Sequence, residues 1–589
     1  MPPAHRSIEP YRELTLPAVL FGVVIGLLMT TSFVYISLKL GFGLGGSTVA
    51  AILGFAFLRG VLNKQSIVEN NINQTVASGI NIASSGVSFT LPALFLMGLI
   101  DTSVAEDGLA AMLWAAFPFI LAAMAGSFMG VVLIIPLRKQ MIEFERLRFP
   151  SGIAVSSLLK SPGAGARQAK LLLGGFAVAA TYTALETYGY APKMLEFNDA
   201  LGVPYYIPLA ISLSFANFGA GLLSGRGGLA FAVGGVLAWW VISPIAVHMG
   251  WLPDAAMQYE QAAWQDGGVL YGDMIRPLGI GMLIGGALMG VILSIPALKS
   301  ALKGLSATVQ SRSGAAGSSQ ELSSRVMTIG LGAAVMILFA AAMIASDTVS
   351  VGQGILIALV GTLWLALAGL VVAQATGMTD ISPMSGMALI GVTLMFFLTA
   401  GNVVASVMLG VAVCVGIGQC ADMMQDLKTG HLVGSTPKKQ QIVQFAVSWI
   451  GAPAAVLTVF VLWGGADGTG GGFGPGTDLT APQAGALQAI LDGLSQGDVA
   501  LDKYIAGTSL GCALAAFPVS GLGVLVGLAM YLPFYITFGY GLGCLASMGL
   551  QKKMGKAWIS GTLIPVAAGF IVGEALTSLV ITIIKLVAN

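Results

Sequence analysis

Long apolar stretches follow one another along the whole sequence, and they constrain its fold more than any other feature. They include Leu14–Leu40, Leu109–Pro136, Gly228–Met249, Met274–Leu298, Gly352–Ala375 and Ile559–Val587. Each is long enough to cross the roughly 30 Å of hydrocarbon in a bilayer as a helix. Only 9% of the 589 residues are charged, against about 25% in soluble domains, so a water-facing surface could not be covered. We predict an all-α, polytopic membrane protein.

The remaining composition argues against several other functions. A net charge of +1 makes a nucleic-acid partner unexpected, since that would require a concentrated basic face. The four cysteines lie in apolar stretches without paired spacing, so we expect neither a disulfide framework nor a structural zinc site. The three histidines are far apart in the sequence, and we expect no bound metal and no cofactor.

Basic clusters and acidic connecting segments alternate along the first half of the chain. Because Lys and Arg are enriched in short cytoplasmic loops, this alternation predicts a cytoplasmic N-terminus. A Ser/Gly/Gln-rich segment at 299–325 predicts a flexible cytoplasmic linker. It would separate an N-terminal transmembrane half, 1–298, from a C-terminal transmembrane half, 326–589. The side of the C-terminus stays open, because the number of crossings after Gly464 is not determined.

Three segments do not have the form of a simple span. Ser66–Leu99 is polar in its first half, Phe149–Ser161 is too short to cross, and Gly507–Leu550 is interrupted by Pro518 and Pro533. Polar or broken backbone at membrane depth is tolerated where it is buried in protein or lines a cavity. Interrupted segments in both halves mark transporter binding sites, so we predict two related halves around a central site. With these segments included, we predict about 14 to 16 transmembrane or re-entrant helices.

The strongest polar pattern lies within Ser66–Gly86. On a helix, one face of about 80° would carry Asn70, Gln74, Ser78, Asn81 and Ser85, which we call the polar stripe. Amides and hydroxyls donate and accept hydrogen bonds without the desolvation cost of a charge, which suits a substrate with amide or zwitterionic groups. The alternative is that these side chains hold helices together. The residues we assign to substrate binding are Asn70, Asn71, Gln74, Ser78 and Asn81.

A second polar face ends the apolar helix that is predicted to begin at Asn402. Gln419, Asp422 and Asp426 would lie within an arc of about 60° on that helix. Carboxylates at membrane depth are costly and are therefore candidates for functional sites. For Asp426 the alternative is an ordinary solvated helix end, whereas Asp422 lies deeper in the span. We assign Gln419 to substrate binding and both aspartates to proton coupling.

Two further acids and one turn complete the candidate site. Glu69 precedes the polar stripe, and Glu574 lies mid-span with no basic residue within a helical turn. Unpaired, Glu574 would hold its proton, so it is either a proton carrier or a hydrogen-bonded contact between helices. A Pro/Gly-broken turn at Thr379–Met387 would expose helix-end backbone groups to substrate. We include Ser382 and Ser385 of this turn among the substrate-binding residues.

Seven short motifs carry a family resemblance over nearly the whole chain. In order they are ELTLPAVLFGVVIG (Glu13–Gly26), ENNINQT (Glu69–Thr75), RFPSGIA (Arg148–Ala154), ISPMSGM (Ile381–Met387), DLKTGHLVGSTPKKQQ (Asp426–Gln441), MYLPF (Met530–Phe534) and GEAL (Gly573–Leu576). With them the sequence resembles the oligopeptide transporter family, specifically its prokaryotic branch, which is related to the yellow-stripe-like metal-chelate transporters. The Asn-Pro-Gly and Lys-Ile-Pro-Pro-Arg motifs of the eukaryotic peptide-transporting branch are not found. No peptide length is therefore implied.

The resemblance implies proton-coupled import of small peptides or of metal complexes of amino-acid-derived chelators, through a site between two halves. It also implies the bacterial inner (plasma) membrane as the location, with protons and the lipid bilayer as partners and a homodimer as one arrangement. Alternating access around a central site is the expected mechanism. A channel stays an alternative, because polar faces and broken helices also serve pores. An ion-pumping enzyme is less favoured, since it needs clustered carboxylates for Mg²⁺ and phosphate, and we predict no enzyme.

Overall fold

The computed structural model shows an almost entirely helical chain, and it describes residues 12–43, 46–60, 62, 66–100, 109–160, 165–204, 206–251, 270–311, 321–345, 349–379, 382, 384–464, 472–475, 477–496, 501–517 and 522–588. The helices before residue 312 are α1 (Leu16–Leu40), α2 (Ser47–Gly60), α3 (Ile67–Asn81), α4 (Ala83–Thr90), α5 (Pro92–Leu96), α6 (Leu109–Ile134), α7 (Pro150–Lys160), α8 (Gly165–Thr187), α9 (Asn198–Leu201), α10 (Phe215–Ser224), α11 (Leu229–Val236), α12 (Ser243–His248) and α13 (Arg276–Ser311).

The helices after residue 320 are α14 (Ser324–Ala345), α15 (Val351–Thr379), α16 (Met384–Leu398), α17 (Val403–Val433), α18 (Pro437–Val447), α19 (Gly451–Gly464), α20 (Pro482–Gln496), α21 (Leu501–Ala515), α22 (Leu522–Tyr531), α23 (Phe534–Met554), α24 (Lys556–Trp558) and α25 (Ile564–Ala588). Strands β1 (Met194–Glu196) and β2 (Ala210–Ser212) form a short antiparallel pair with Leu195 opposite Ile211.

Nine helical runs among the described residues are long and apolar enough to cross a membrane. They are Leu16–Leu40, Ile67–Leu96, Ala110–Leu137, Phe215–His248, Arg325–Ile344, Val351–Met378, Val403–Val433, Pro437–Gly464 and Lys556–Lys585. Helices α16 and α22 are apolar but shorter. The predicted all-α, polytopic fold is confirmed, and the larger count of membrane-embedded helices stays a prediction.

The segments that the sequence predicted to be irregular are broken or short helices. The run Ile67–Leu96 is divided into α3, α4 and α5 at Ile82 and Leu91, and α7 has only 11 residues. Helix α22 ends before Pro533, which adopts an extended conformation (φ −55°, ψ 144°) and caps α23. Proline has no N–H to continue the hydrogen bonds of a helix, so the interruption follows from the sequence. The second predicted interruption, at Pro518, lies outside the described residues.

Helix extends into the first part of the segment 299–325, which the sequence predicted to be a flexible linker. Helix α13 continues to Ser311, and α14 begins at Ser324. The continuation ALKSALKGLSATVQS is rich in Ala, Leu and Lys, which favour helix, and this local preference outweighs the Ser and Gly content. Residues 312–320 lie outside the described part of the chain. The division into two transmembrane halves stays a prediction.

Two of the nine spans are central to the packing. In Ile67–Leu96 and in α17, 89% of the most apolar 18-residue stretch is buried inside the protein. In the other spans the buried share of that stretch is between 33% and 67%. Helix α6 approaches α17 so closely that a Cβ atom added at Gly126 would collide with the carbonyl group of Ala412. Small residues allow this approach between membrane helices. Polar residues on α3 and α17 are therefore held inside the protein and away from lipid.

Helices α1 and α3 run side by side in the same direction. Gly22 of α1 faces Val76 of α3, and one turn further Gly26 faces Ile80; an added Cβ would lie 2.8 Å from the Cβ of each partner. The pairing places Gln74 about 6 Å and Ser78 about 12 Å beyond the start of α1, at a rise of about 1.5 Å per residue. The polar face of α3 thus reaches membrane depth.

Candidate functional site

The two central helices place the predicted carboxylates against the polar stripe. Helices α3 and α17 are antiparallel, and side chains four residues apart share one face of each helix. Gln74 Nε2 donates a hydrogen bond to Asp426 Oδ1 at 2.5 Å. One turn further, Ser78 Oγ donates to Asp422 Oδ1 at 2.6 Å. The four-residue spacings on the two helices therefore match, and Gln74 and Ser78 face Asp426 and Asp422.

Helix α18 contributes two glutamines that the sequence analysis missed. Gln444 Nε2 lies 3.4 Å from Asp422 Oδ2 and 3.3 Å from Gln419 Oε1, which both accept its hydrogen bonds. Gln440 Nε2 donates to the carbonyl oxygen of Asp426 at 2.9 Å. Both glutamines are fully buried. Their four-residue spacing in a membrane-spanning segment was the available signal, because it places two amides on one face of a helix.

Helix α2 closes the site through its first residue. Ser47 Oγ lies 2.9 Å from Ser78 Oγ and donates a hydrogen bond of 3.4 Å to Asp426 Oδ1. The two hydroxyls therefore lie between the two aspartates. Because each hydroxyl has a single hydrogen, all three contacts can be hydrogen bonds at once only when one carboxyl carries a proton. We call the following residues the carboxylate cluster: Asp422, Asp426, Ser47, Gln74, Ser78, Gln419, Gln440 and Gln444.

The carboxylate cluster buries two acids and, among the described residues, has no cation paired with either. Asp426 is 1% exposed and Asp422 is 7% exposed. Asp426 Oδ2 accepts no hydrogen bond from the described part of the chain. Taking carboxylates out of water without a cation is costly, and two in one site repel each other. Binding a proton relieves both costs, so this arrangement is suited to take up and release protons.

The three asparagines assigned to substrate binding lie outside the carboxylate cluster, and two of them bind neighbouring elements. Asn70 Nδ2 donates to the carbonyl oxygen of Ala51 at 3.2 Å, and Asn71 Nδ2 donates to Ser435 Oγ at 3.1 Å. Asn81 is also buried. Contacts between helices of this kind correspond to the structural alternative considered above. A role for these three residues in substrate binding stays a prediction.

The turn before α16 lies beside α17. Ser382 Oγ is 2.6 Å from Thr376 Oγ1 at the end of α15, and Ser385 lies in the first turn of α16. Met384 packs against Gly418, where an added Cβ would lie 3.1 Å from its Sδ. The start of α16 is therefore close to α17 at the level of the carboxylate cluster. Residues 380, 381 and 383 of the predicted turn lie outside the described residues.

The two remaining acids lie apart from the carboxylate cluster. Glu69, in the first turn of α3, accepts a hydrogen bond from Thr15 Oγ1 beside the start of α1. Glu574 lies near the other end of α1, where its Oε1 is 2.7 Å from Lys39 Nζ. The two partners are 535 positions apart in the sequence. Glu574 is thus not unpaired, because tertiary packing supplies the cation that its own helix lacks.

These features define a class of protein before any comparison. Many apolar helices surround two buried ones, and those two carry hydrogen-bonded carboxylates and amides at membrane depth. Such groups are costly there, and they are found mainly along substrate or ion pathways. Such an arrangement is typical of a membrane transporter.

Comparison with known proteins identifies the family. The family model described as "OPT oligopeptide transporter protein" matches residues 13–585. The chain belongs to the OPT oligopeptide transporter family, which confirms the resemblance seen in its motifs. It is an integral membrane transporter and not an enzyme.

Similar proteins occur in bacteria, yeast and plants. A protein of Haemophilus influenzae that is assigned by name to the oligopeptide transporters is 28% identical, over 93% of this chain and 92% of its own. A yeast protein from Saccharomyces cerevisiae with the same kind of name is 23% identical, over 76% of this chain and 77% of its own. A metal-nicotianamine transporter of Arabidopsis thaliana is 26% identical, over 42% of this chain and 41% of its own.

Proposed function

We propose that this chain is a proton-coupled secondary transporter that imports small peptides or metal chelates of amino-acid-derived ligands. The carboxylate cluster is the observation that supports this most directly. It joins α2, α3, α17 and α18 around two buried acids whose contacts among the described residues are neutral. A proton bound there changes the charge at the junction of four helices, so it changes the balance between outward-facing and inward-facing states.

The packed arrangement of the carboxylate cluster suggests how coupling would work. With Asp422 and Asp426 both ionised, the junction would hold two negative charges in a dry site, and moving α3 away from α17 would admit water to solvate them. With a proton bound, the same helices can close, because the hydrogen bonds from Gln74 and Ser78 are retained. Protonation would therefore favour the closed junction, and release of the proton would follow its opening.

The expected substrates share amide, ammonium and carboxylate groups. Relatives are named for oligopeptides or for metal-nicotianamine, and hydrogen-bonding side chains suit both kinds of compound. The residues proposed to contact substrate are Asn70, Asn71, Gln74, Ser78, Asn81, Gln419, Ser382 and Ser385. Three of these, Gln74, Ser78 and Gln419, belong to the carboxylate cluster, so substrate and proton would act on the same junction.

The proposed orientation places the N-terminus in the cytoplasm of a bacterial inner membrane. Lys439 Nζ lies 3.3 Å from Glu13 Oε1, so the lysine-rich start of α18 and the start of α1 are at the same face. Lysines mark the cytoplasmic side. The carboxylate cluster would then lie in the cytoplasmic half of the membrane and Lys39 near the outer face. A homodimer stays a further proposal.

Transport in proteoliposomes tests this proposal. Purified protein would be reconstituted and given labelled L-alanyl-L-alanine or an iron–nicotianamine complex, with and without an imposed gradient that is acidic outside. We expect accumulation above the external concentration that a protonophore abolishes. Liposomes without protein are the control. Uptake of both probes that is equal with and without the gradient would contradict proton coupling.

A further inference from the structure

A second polar site lies at the opposite end of α1 from the carboxylate cluster. A cavity of about 80 Å³ opens there between α1, α8, α23 and α25, next to β2. Its charged lining residues are Lys39, Glu186, Lys193, Asp478 and Glu574. We call this feature the Lys39 cavity. Charges of both signs on the walls of one cavity are the arrangement that binds a ligand carrying both signs itself.

The inner wall of the Lys39 cavity is a buried ion pair in a rigid setting. Lys39 and Glu574 are 10% and 5% exposed, and their charged atoms are 2.7 Å apart. Ser214 Oγ donates to both oxygens of Glu574, at 2.8 and 3.0 Å. The backbone N–H of Ala216, at the start of α10, donates to Oε2 at 2.9 Å. These bonds fix the carboxylate, so the lysine ammonium is presented to the cavity at a defined position.

The mouth of the Lys39 cavity carries an exposed ion pair and a further acid. Lys193 pairs with Asp478, and both side chains are about half exposed. Glu186 of α8 also lines the cavity, and no cation of the described residues is within ion-pair distance of it. The lining therefore holds three acids and two lysines. The surplus negative charge favours a ligand with a cationic group. The lysine ammonium groups can donate hydrogen bonds to a carboxylate of the same ligand.

We propose that the Lys39 cavity is an entry site for zwitterionic substrates, with the substrate ammonium beside Glu186 and its carboxylate beside Lys39 and Lys193. Hydroxyls of Thr183 and Ser212 line the same cavity and supply neutral hydrogen bonds between the two charged ends. The inference rests on the proposed function, because it names the class of substrate and where it first binds. It assigns the ion pairs a recognition role that a purely structural contact would not have.

Binding measurements on the full-length protein in nanodiscs test this site. The probes are L-alanyl-L-alanine, its N-acetyl derivative without the ammonium, and its C-terminal amide without the carboxylate. In the unaltered protein we expect each modification to weaken binding at least about tenfold. The N-acetyl form lacks the contact with Glu186, and the C-terminal amide lacks the charge that faces Lys39 and Lys193. Glu186→Gln should weaken binding of the unmodified dipeptide about tenfold and remove its advantage over the N-acetyl form. This variant leaves the two ion pairs intact, so folding should not change.

Glu196→Gln is the matched control, because it makes the same chemical change on the exposed strand β1, outside the cavity lining. Unchanged affinity in Glu186→Gln, or a retained preference over the N-acetyl dipeptide, would overturn the assignment. So would a protein that binds neither the dipeptide nor an iron–nicotianamine complex. The binding assay uses no proton gradient, so it does not test proton coupling. If the Glu186→Gln protein binds the dipeptide normally and still shows gradient-driven uptake, the entry site is wrong and the proposed proton-coupled transport stands.

Discussion

The carboxylate cluster and the Lys39 cavity lie toward opposite ends of α1, and both contain buried acids. Asp422 and Asp426 receive hydrogen bonds from Ser and Gln side chains, whereas Glu574 has a lysine ammonium at 2.7 Å. A carboxylate among neutral donors can be neutralised only by a proton or a cation from outside. A carboxylate beside a lysine already has its compensating charge within the protein. This difference is the basis for proposing proton exchange in the first region and recognition of a charged ligand in the second.

The largest effect is expected from removing the cation of the Lys39 cavity. Lys39→Met leaves Glu574 buried without its partner, which should lower the free energy of unfolding by roughly 3 to 5 kcal/mol. Unfolding in detergent with increasing denaturant, followed by tryptophan fluorescence, measures this change. The double variant Lys39→Met with Glu574→Gln should recover most of the loss. If the single variant is as stable as the unaltered protein, the pair does not hold fixed charges.

Neutralising the carboxylate cluster should affect coupling more than stability. Asp422→Asn removes the acid while keeping its shape and one of its two acceptor oxygens. Gradient-driven uptake should therefore fall by about a hundredfold while substrate exchange continues. Uptake with and without a pH gradient in proteoliposomes, beside exchange at equal pH, separates the two activities. Asp502→Asn changes an exposed acid in the first turn of α21 and serves as the control. Full accumulation by both Asp422→Asn and Asp426→Asn would show that the cluster is not the proton site.

A smaller effect is expected from the partner of Asp422. Gln444→Leu removes the donor to Asp422 Oδ2 without removing the acid, so gradient-driven uptake should fall about fivefold, in line with the loss of one hydrogen bond to a buried group. The pH dependence of uptake should also shift, because the environment of the acid changes while its titration persists. Gln551→Leu, on the exposed side of α23, is the control. An unchanged pH profile of uptake would show that α18 is not part of the coupling site.

The smallest effect is expected at the mouth of the Lys39 cavity. Asp478→Asn breaks an ion pair whose side chains are about half exposed, and exposed pairs contribute less than about 1 kcal/mol to stability. The same denaturant titration as for Lys39→Met makes the comparison direct. A loss as large as that of Lys39→Met would mean that depth in the protein does not distinguish the two pairs.

Much of the carboxylate cluster was predictable because its spacings are local. Gln74 with Ser78 and Asp422 with Asp426 lie four residues apart, and a helix necessarily places such side chains on one face. Gln440 and Gln444 have the same spacing and were missed only because they follow a lysine-rich segment that marks a helix end at the cytoplasm. The pairing of α3 with α17 was not predictable, since periodicity gives the face of a helix but not its neighbour.

The amino-acid sequence by itself determined that the chain is helical, lies in a membrane and belongs to the oligopeptide transporter family, because apolar length, scarcity of charge and ordered motifs are properties of the chain. The tertiary structure alone decided that Glu574 meets Lys39 and that Gln444 meets Asp422. These partners lie on separate helices, and which helices touch depends on small-residue contacts along their whole lengths. Whether a buried acid faces a lysine or an amide is set by that packing.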